Sequence, residues 1–353
     1  LSIYRYTGGN CLFREICINS KSCELMKAIH APKYGSKTVL TDSCWEYVSL
    51  YLTRQSSAGA SDALFYWEQA HSFYLVSKSL PDNTRPLTSY YCILNAAKAL
   101  LRYKGVEDEH LNSHGISSVR TVSNKTNIKE AYTLVKGAGV LPQLSKYFGY
   151  NFLPGHYSMS DLLYNIPCVH RAYCITFSKP EVFIPVVNPV FVKKEGSKES
   201  WIKFEVRGRY ANAKALKLIP AEFEHDIGIT DSYTLRMKKR FSWDVHKSMD
   251  ERKAVMNRYH EKVKSYLYYI YGESKLWYIK KHIETNNLLE MAPSPVLIFC
   301  VFHWLSELVR YDPKLFNRYM KSKQNWLLHE FIDNALNQFV DEVSCEITGQ
   351  DIM

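Results

Sequence analysis

Asp62-Ala63-Leu64-Phe65-Tyr66-Trp67-Glu68-Gln69-Ala70, running on to Leu80, and Arg85-Pro86-Leu87, running on to Lys104 and Gly105, decide the fold of this chain. In the first stretch Ala63, Tyr66, Trp67, Ala70, Phe73 and Tyr74 fall at the spacing of one helical face. Leu87, Tyr90, Tyr91, Leu94, Ala97 and Leu101 repeat that pattern in the second. Between them, Pro81-Asp82-Asn83-Thr84 reads as a turn: proline stops the first helix, and Asp, Asn and Thr offer caps to the next. Pro86 suits a first helical turn and Gly105 a C-terminal stop. The reading is a long antiparallel helical hairpin with a wide aromatic seam, residues 62–105.

Outward from the hairpin, the expected fold class is α+β. A mainly helical body is built on the central hairpin, with a small antiparallel sheet inserted and a helical bundle at the C-terminal end. The segments are 1–58 as an N-terminal piece, 59–167 as the helical domain, 168–245 as the β block and 246–353 as the closing bundle. Before the hairpin, Leu12 to Ile18 reads as a strand or a short helix, and Asp42 or Ser43 caps a helix containing Trp45, Val48 and Leu52. After it, short helices are expected over Lys129–Val135, Leu141–Tyr147 and Met159–Tyr164.

The β block rests on Ala172–Phe177, Val182–Val187, Val190–Val192 and the period-two run Trp201–Arg207, with further strands near Leu216–Ile219 and Tyr233–Arg236. Pro185 and Pro189 demote their segment to an edge or a bulge. Helices return from Met249, with Val255, Tyr259, Val263, Tyr266, Leu267 and Ile270 on one face. Leu276–Ile279 reads as one more strand. Pro293-Ser294-Pro295 opens a helix to Tyr311, Pro313–Tyr319 a short one, and Asn325 to Ile347 the last.

Composition bounds the function. The 353 residues are 46% hydrophobic and 23% charged, which is globular rather than disordered. A net charge of +10 favours nucleic acid, an acidic protein or an anionic surface as partner. The 26 tyrosines suit seams and partner surfaces, with nucleotide-composition bias as the plainer explanation. Nine cysteines in no paired spacing argue against a secreted disulfide framework and for reduced, mostly buried thiols. Cys168-Val169-His170 through Cys174 lacks the usual zinc-ligand spacing, so no metal and no cofactor are expected. The chain begins Leu1-Ser2-Ile3-Tyr4 with no basic segment before an apolar run, so no signal peptide is expected, and a start other than Met suggests trimming. The run Val296–Phe302 breaks at His303, too short to span a membrane. A cytoplasmic protein is the reading.

No phosphate loop, dinucleotide fingerprint, nucleophile elbow or His-Glu-x-x-His motif occurs; Lys136-Gly137-Ala138-Gly139 is only two glycines. His110 and His114, beside Glu109, are candidates for acid–base work, against the plainer reading of two loop histidines. Arg236-Met237-Lys238-Lys239-Arg240-Phe241-Ser242-Trp243 is the densest basic run. Arg236, Lys238, Lys239 and Arg240 would neutralise phosphates and Trp243 would stack on a base, unless the run is a solvated edge. Lys193, Lys194, Lys198, Lys203, Arg207 and Arg209 lie in the same block and add to its charge.

Tyr66, Gln69, Ala70, Arg85-Pro86-Leu87, Tyr90-Tyr91, Leu94-Asn95-Ala96, His114-Gly115, Pro293-Ser294-Pro295 and Leu305 through Pro313 together resemble the YaaC-like proteins of bacteria. The similarity runs from about 60 to about 349. Its hairpin looks like the HEPN class of helical domains, many of which are RNases or partners in toxin–antitoxin and phage-defence systems. The resemblance implies a component of an antiviral-defence or toxin-type system that binds a protein partner or nucleic acid without a conventional catalytic motif, with an oligomer left open. The alternative it implies is a metal-independent ribonuclease using Arg102 with His110 or His114. HEPN RNases space Arg and His by four to six residues. Arg240 and His246 fit that spacing but lie outside the hairpin, while Arg102 and His110 stand slightly too far apart. Arg310 reads as a structural residue paired with a carboxylate.

Overall fold

The structure, a computed structural model, describes residues 3–4, 13–119, 126–226, 232–272, 275–282, 289 and 291–353. Leu12, within the first expected element, lies outside them. The chain divides into two compact units: Leu40–Glu181 with Leu288–Thr348 and Ile352–Met353, and Leu1–Val39 with Val182–Asn287 and Gly349–Asp351.

The first unit is the helical one. Its centre is the expected hairpin, Ala58–Ser79 and Arg85–Tyr103. Ala63, Trp67 and Ala70 are buried on the first helix, while nearly every position from Ser89 to Leu101 is buried on the second. The second helix is wrapped on several sides, because Ser294–Tyr311 and Asn325–Thr348 pack on it, while Cys44–Thr53 packs on the first. Ser43 is the N-cap of Cys44–Thr53, its hydroxyl accepting from Glu46 N–H at 3.3 Å. Trp67 anchors the seam. Its indole N–H donates to the Trp45 carbonyl at 3.1 Å, and the two rings lie 4.4 Å apart. The turn is fastened by side chains: Arg85 pairs with Asp82 at 3.2 Å and with Asp333, and His329 with Asp82. Gly105, at φ +84°, supplies the stop.

Two expectations change here. Lys129–Val135 is a 3-10 turn, Ile128–Glu130, followed by a strand, Tyr132–Val135, in a small antiparallel sheet with Ile116–Val119 and Gly155–Ser158. Thr133 and Val135 face inward with alternating exposure, so sheet pairing outweighs the weak helical spacing of so short a piece. Ala172–Phe177 belongs to a helix, Pro167–Phe177. Its β-branched and aromatic residues suggest a strand, but Pro167 occupies the first helical turn and Val169, Ala172 and Tyr173 form a buried face. Short helices stand at Val140–Tyr147 and Met159–Tyr164, and Pro313–Met320 follows the long 294–311 helix.

The second unit is built on one antiparallel sheet, ordered Ile3–Tyr4, Phe13–Glu15, Phe183–Lys194, Glu199–Val206, Tyr233–Met237 and Phe223–His225. Leu267–Ile270 and Leu276–Lys280 join it through Phe183–Lys194. It therefore takes strands from outside 168–245 as well as from within. Phe183–Lys194 is central; Pro189 is accommodated by a register shift between Val187 and Val190, where Asn188 has φ +54°, while Pro185 stays in register opposite Tyr278. The expected helical face through Ile270 breaks at Lys264, since Leu267–Ile270 pairs with Leu276–Lys280. Leu216–Ile219 is not a strand; a one-turn helix, Ala213–Leu216, stands there. Residues alternate across the sheet. Phe191, Ile202 and Phe204 meet Met256, Tyr259 and Val263 of the Met249–Lys264 helix, while Phe13, Val190, Val192 and Trp201 form a second cluster.

A candidate acid–base site in the helical unit

The 294–311 helix presents His303, Glu307 and Arg310 at offsets that share one face. Against that face lie Tyr90 and Tyr91 of the second hairpin helix, the loop residue His114, and Ser118 of the Ile116–Val119 strand. Tyr90 is the hub. Its hydroxyl stands 2.9 Å from His114 Nδ1, and its ring meets those of His303 and His114 at 5.2 and 5.5 Å. The two imidazoles lie 6.1 Å apart, edge to face.

The loop bearing His114 is held by backbone geometry. Ser113 and His114 carbonyls accept from Val140 and Leu141 N–H at 2.8 and 3.1 Å, satisfying the first donors of the 140–147 helix. Gly115 (φ +75°) and Gly139 (φ +119°) make this contact possible. A Cβ on Gly139 would stand 2.5 Å from Gly115 N. The Lys136–Gly139 glycines thus serve close packing of two loops, not a phosphate cradle.

Charge is distributed unevenly. Glu307 Oε2 accepts from Ser118 N–H at 3.1 Å, and Oε1 stands 3.6 Å from His303 Nε2. That carboxylate favours the proton on Nε2, which leaves Nδ1 as the unprotonated nitrogen. Among the described residues, buried His303 Nδ1 has no hydrogen-bond partner. Burial, helped by His114, Arg310 and Lys136, lowers the His303 pKa to about 3. Burial and then Lys98 and Arg310 lower that of His114, with Glu307 opposing. Both imidazoles are therefore neutral at pH 7, and half-exposed His114 is a proton acceptor in waiting. The tautomer that donates Nδ1–H to Tyr90 Oη leaves Nε2 free to take a proton. Burial raises the Tyr90 hydroxyl well above the usual tyrosine range.

Arg310 is the exposed cation of the group. It donates to Tyr91 Oη at 2.6 Å and to Tyr311 Oη at 3.4 Å, and stacks between the two rings at 5.7 and 5.5 Å. No carboxylate partner of Arg310 occurs among the described residues, contrary to expectation. Two hydroxyls orient the guanidinium without neutralising it, which suits it to an anion.

The other candidates lie elsewhere. Arg102 fastens the base of the hairpin: it pairs with Asp62, stands 3.3 Å from Asp108 and donates to the Val106 carbonyl at 2.9 Å. His110 is exposed on a 3-10 turn, 3.6 Å from Glu109. In the sheet unit, Arg236 pairs with Glu224 at 2.8 Å and Asp226 at 3.4 Å. Arg240 pairs with Glu199 at 3.2 Å and Glu224 at 2.9 Å. Both lie over the Trp201 ring. Trp243 is buried, so it offers no open ring face, whereas Lys238 and Lys239 are exposed on the turn between strands. His246 caps nothing catalytic: its N–H donates to Asp244 at 3.1 Å. His170 and Cys174 meet at 3.3 Å inside the helical unit, and no cluster of three metal-ligating side chains occurs among the described residues.

A family model described as YaaC-like protein matches residues 31–347. The chain belongs to the YaaC-like family. No curated protein and no solved structure matches it. Every member of the YaaC-like protein's His–Tyr–Arg cluster lies within the matched residues. No helix among the described residues is long and apolar enough to cross a membrane.

His303 and Arg310 are the residues that sequence reasoning left out of the site. The available signal was a single histidine in a run otherwise buried and apolar, four residues before a carboxylate and seven before an arginine.

Proposed function

We propose that this YaaC-like protein is an effector of a bacterial defence- or toxin-type system, and that its helical unit cleaves RNA without a metal ion. The carrying observation is neutral, half-exposed His114 beside Arg310, a cation oriented by two tyrosine hydroxyls. A single general base suits a substrate that carries its own nucleophile, and the ribose 2′-hydroxyl is one. In this reading His114 Nε2 takes the 2′-OH proton, O2′ attacks phosphorus, and the P–O5′ bond breaks. O5′ takes a proton from solvent water, and the hydroxide left behind recovers the one on His114. Arg310 neutralises charge growing on the phosphoryl oxygens. Buried His303 and Tyr90 hold His114 and act as positioning residues. The defence- or toxin-type setting draws its support from the hairpin's likeness to HEPN domains.

The test is cleavage of labelled tRNA and mRNA in the presence of EDTA. His114→Ala should slow cutting by about 100-fold or more, and Arg310→Gln by about 100-fold. Products should end in 2′,3′-cyclic phosphate. No cutting by the wild type, or undiminished cutting by His114→Ala, refutes this reading.

A second reading, binding of nucleic acid without cleavage, is favoured by Lys238 and Lys239. Both are exposed, and Lys239 lies near Lys262, whose pKa it lowers by its proximity. Binding that weakens steeply with salt, with no cutting, is its expected signature.

A further inference from the structure

We infer that the sheet unit carries a separate binding site for a phosphate group, where the Phe13–Glu15 strand pairs with the end of the Phe183–Lys194 strand. The register places Arg14 directly opposite Lys193. Like charges in that position repel and destabilise the pair. A third cation, Arg252 on the first turns of the 249–264 helix, acts on Lys193, and its guanidinium lies 5.3 Å over the Trp243 ring. Beside these groups opens a cavity of about 190 Å³, walled by Arg14, Glu15, Cys17, Lys193, Trp243 and Val245 among others. Its volume suits a phosphate group better than a whole drug-sized ligand.

The nearby acids offset this charge only in part, because each has other partners. Glu15 accepts the Ser22 hydroxyl at 2.7 Å, and Asp244 is shared with the His246 N–H at 3.1 Å and Lys198 at 4.0 Å. Burial lowers the Lys193 pKa and Arg14 lowers it further, while Asp244 pulls it up by more than Arg252 pushes it down. An anion with several oxygens would relieve three repelling cations at once, and a guanidinium fork fits such an anion in two-pronged fashion. Val245 is exposed at the rim, where it can face the sugar or base of a nucleotide. The phosphate could belong to a mononucleotide or to a nucleic-acid backbone. The inference does not rest on chemistry in the helical unit.

The test is calorimetric titration and thermal denaturation of the full chain with inorganic phosphate, AMP and a short single-stranded deoxyoligonucleotide. Ionic strength is held constant with sodium chloride. Wild type should be stabilised by phosphate beyond chloride. Lys193→Gln should melt higher than wild type in phosphate-free buffer, because the cross-strand repulsion is gone, and should bind phosphate at least about tenfold more weakly. Arg14→Gln, a change at an exposed side chain, provides the second variant and should act in the same direction. AMP binding more tightly than the oligonucleotide assigns the site to a terminal phosphate; the reverse assigns it to a backbone. Equal responses to phosphate and chloride, or wild-type phosphate affinity in both variants, overturn the inference.

Discussion

Gly139→Ala should damage both the fold and the His114 loop, whereas Gly137→Ala, two residues away, should do neither. At Gly139 a Cβ would stand 2.5 Å from Gly115 N, 2.6 Å from Ser113 Oγ and 2.7 Å from Gly115 Cα. Two of those atoms are backbone, so the 113–115 loop itself must move. Residue 139 has φ +119°, which side-chain-bearing residues rarely adopt, at about 1–3 kcal/mol. Moving the loop also weakens the bonds from Val140 and Leu141 N–H to Ser113 and His114, about 0.5–1.5 kcal/mol each. The total is about 2–6 kcal/mol, or a fall in Tm of roughly 4–24 °C for a unit of this size. His114 would leave its 2.9 Å contact with Tyr90, and its pKa should rise toward the ordinary histidine value. At Gly137 the nearest atom to a Cβ is Pro154 Cγ at 3.7 Å, an ordinary contact, so the change should lie within about 0.5 kcal/mol. Thermal denaturation and an NMR titration of His114 read both effects. A Gly139→Ala protein with wild-type Tm and an unmoved His114 titration would refute the close-packing account of this loop.

Arg102→Met should lower stability by about 1 kcal/mol, a modest value because Asp62 and Asp108 are both largely exposed. RNA cleavage should stay within about threefold of wild type, and His110→Ala should change neither quantity beyond about 0.5 kcal/mol or threefold. Urea denaturation with the cleavage assay decides both, and a large loss of cutting in Arg102→Met would restore that residue to the active centre. Acid should destabilise the protein through its buried histidines. The pKa values of His260 and His303 are lowered to about 3 in the fold, so below the ordinary value the unfolded chain binds protons that the folded chain does not. Their stability contribution is full above about pH 6.5 and falls as pH drops toward 3, by about 1.4 kcal/mol per pH unit for each. In urea titrations between pH 4.5 and 7.5, His303→Phe should remove about one proton from that slope. An unchanged slope would mean that His303 already carries its proton in the fold.

What the sequence made legible follows from where each structure gets its specification. The hairpin is specified locally: two runs long enough for the helical period to declare itself, with Pro81, Pro86 and Gly105 marking the turn and the stop. The sheet was legible strand by strand wherever alternation was strong, as in Trp201–Val206. Leu267–Ile270 was not, because its spacing also continues the preceding helical face, and only pairing with Leu276–Lys280 decides between the two. Pro167–Phe177 shows the opposite error, in which residues suited to a strand form a helix because a buried face is available to them.

The candidate site follows the same division. His114 was visible as a loop histidine, but its partners come from Tyr90, Ser118, His303 and Arg310, brought together only by helix packing. Arg102 looked like the nearby cation because it is near in sequence; in space its guanidinium is occupied by Asp62, Asp108 and Val106. His303 looked like no more than the end of an apolar run. Its meaning depends on the helix continuing through it, which places Glu307 one turn and Arg310 two turns further along the same face. A lone histidine on the buried face of a helix is expensive to ionise, and its pKa of about 3 records that cost. The same burial keeps it neutral, so no second positive charge is placed beside Arg310, whose guanidinium is held by two hydroxyls and has no carboxylate partner among the described residues.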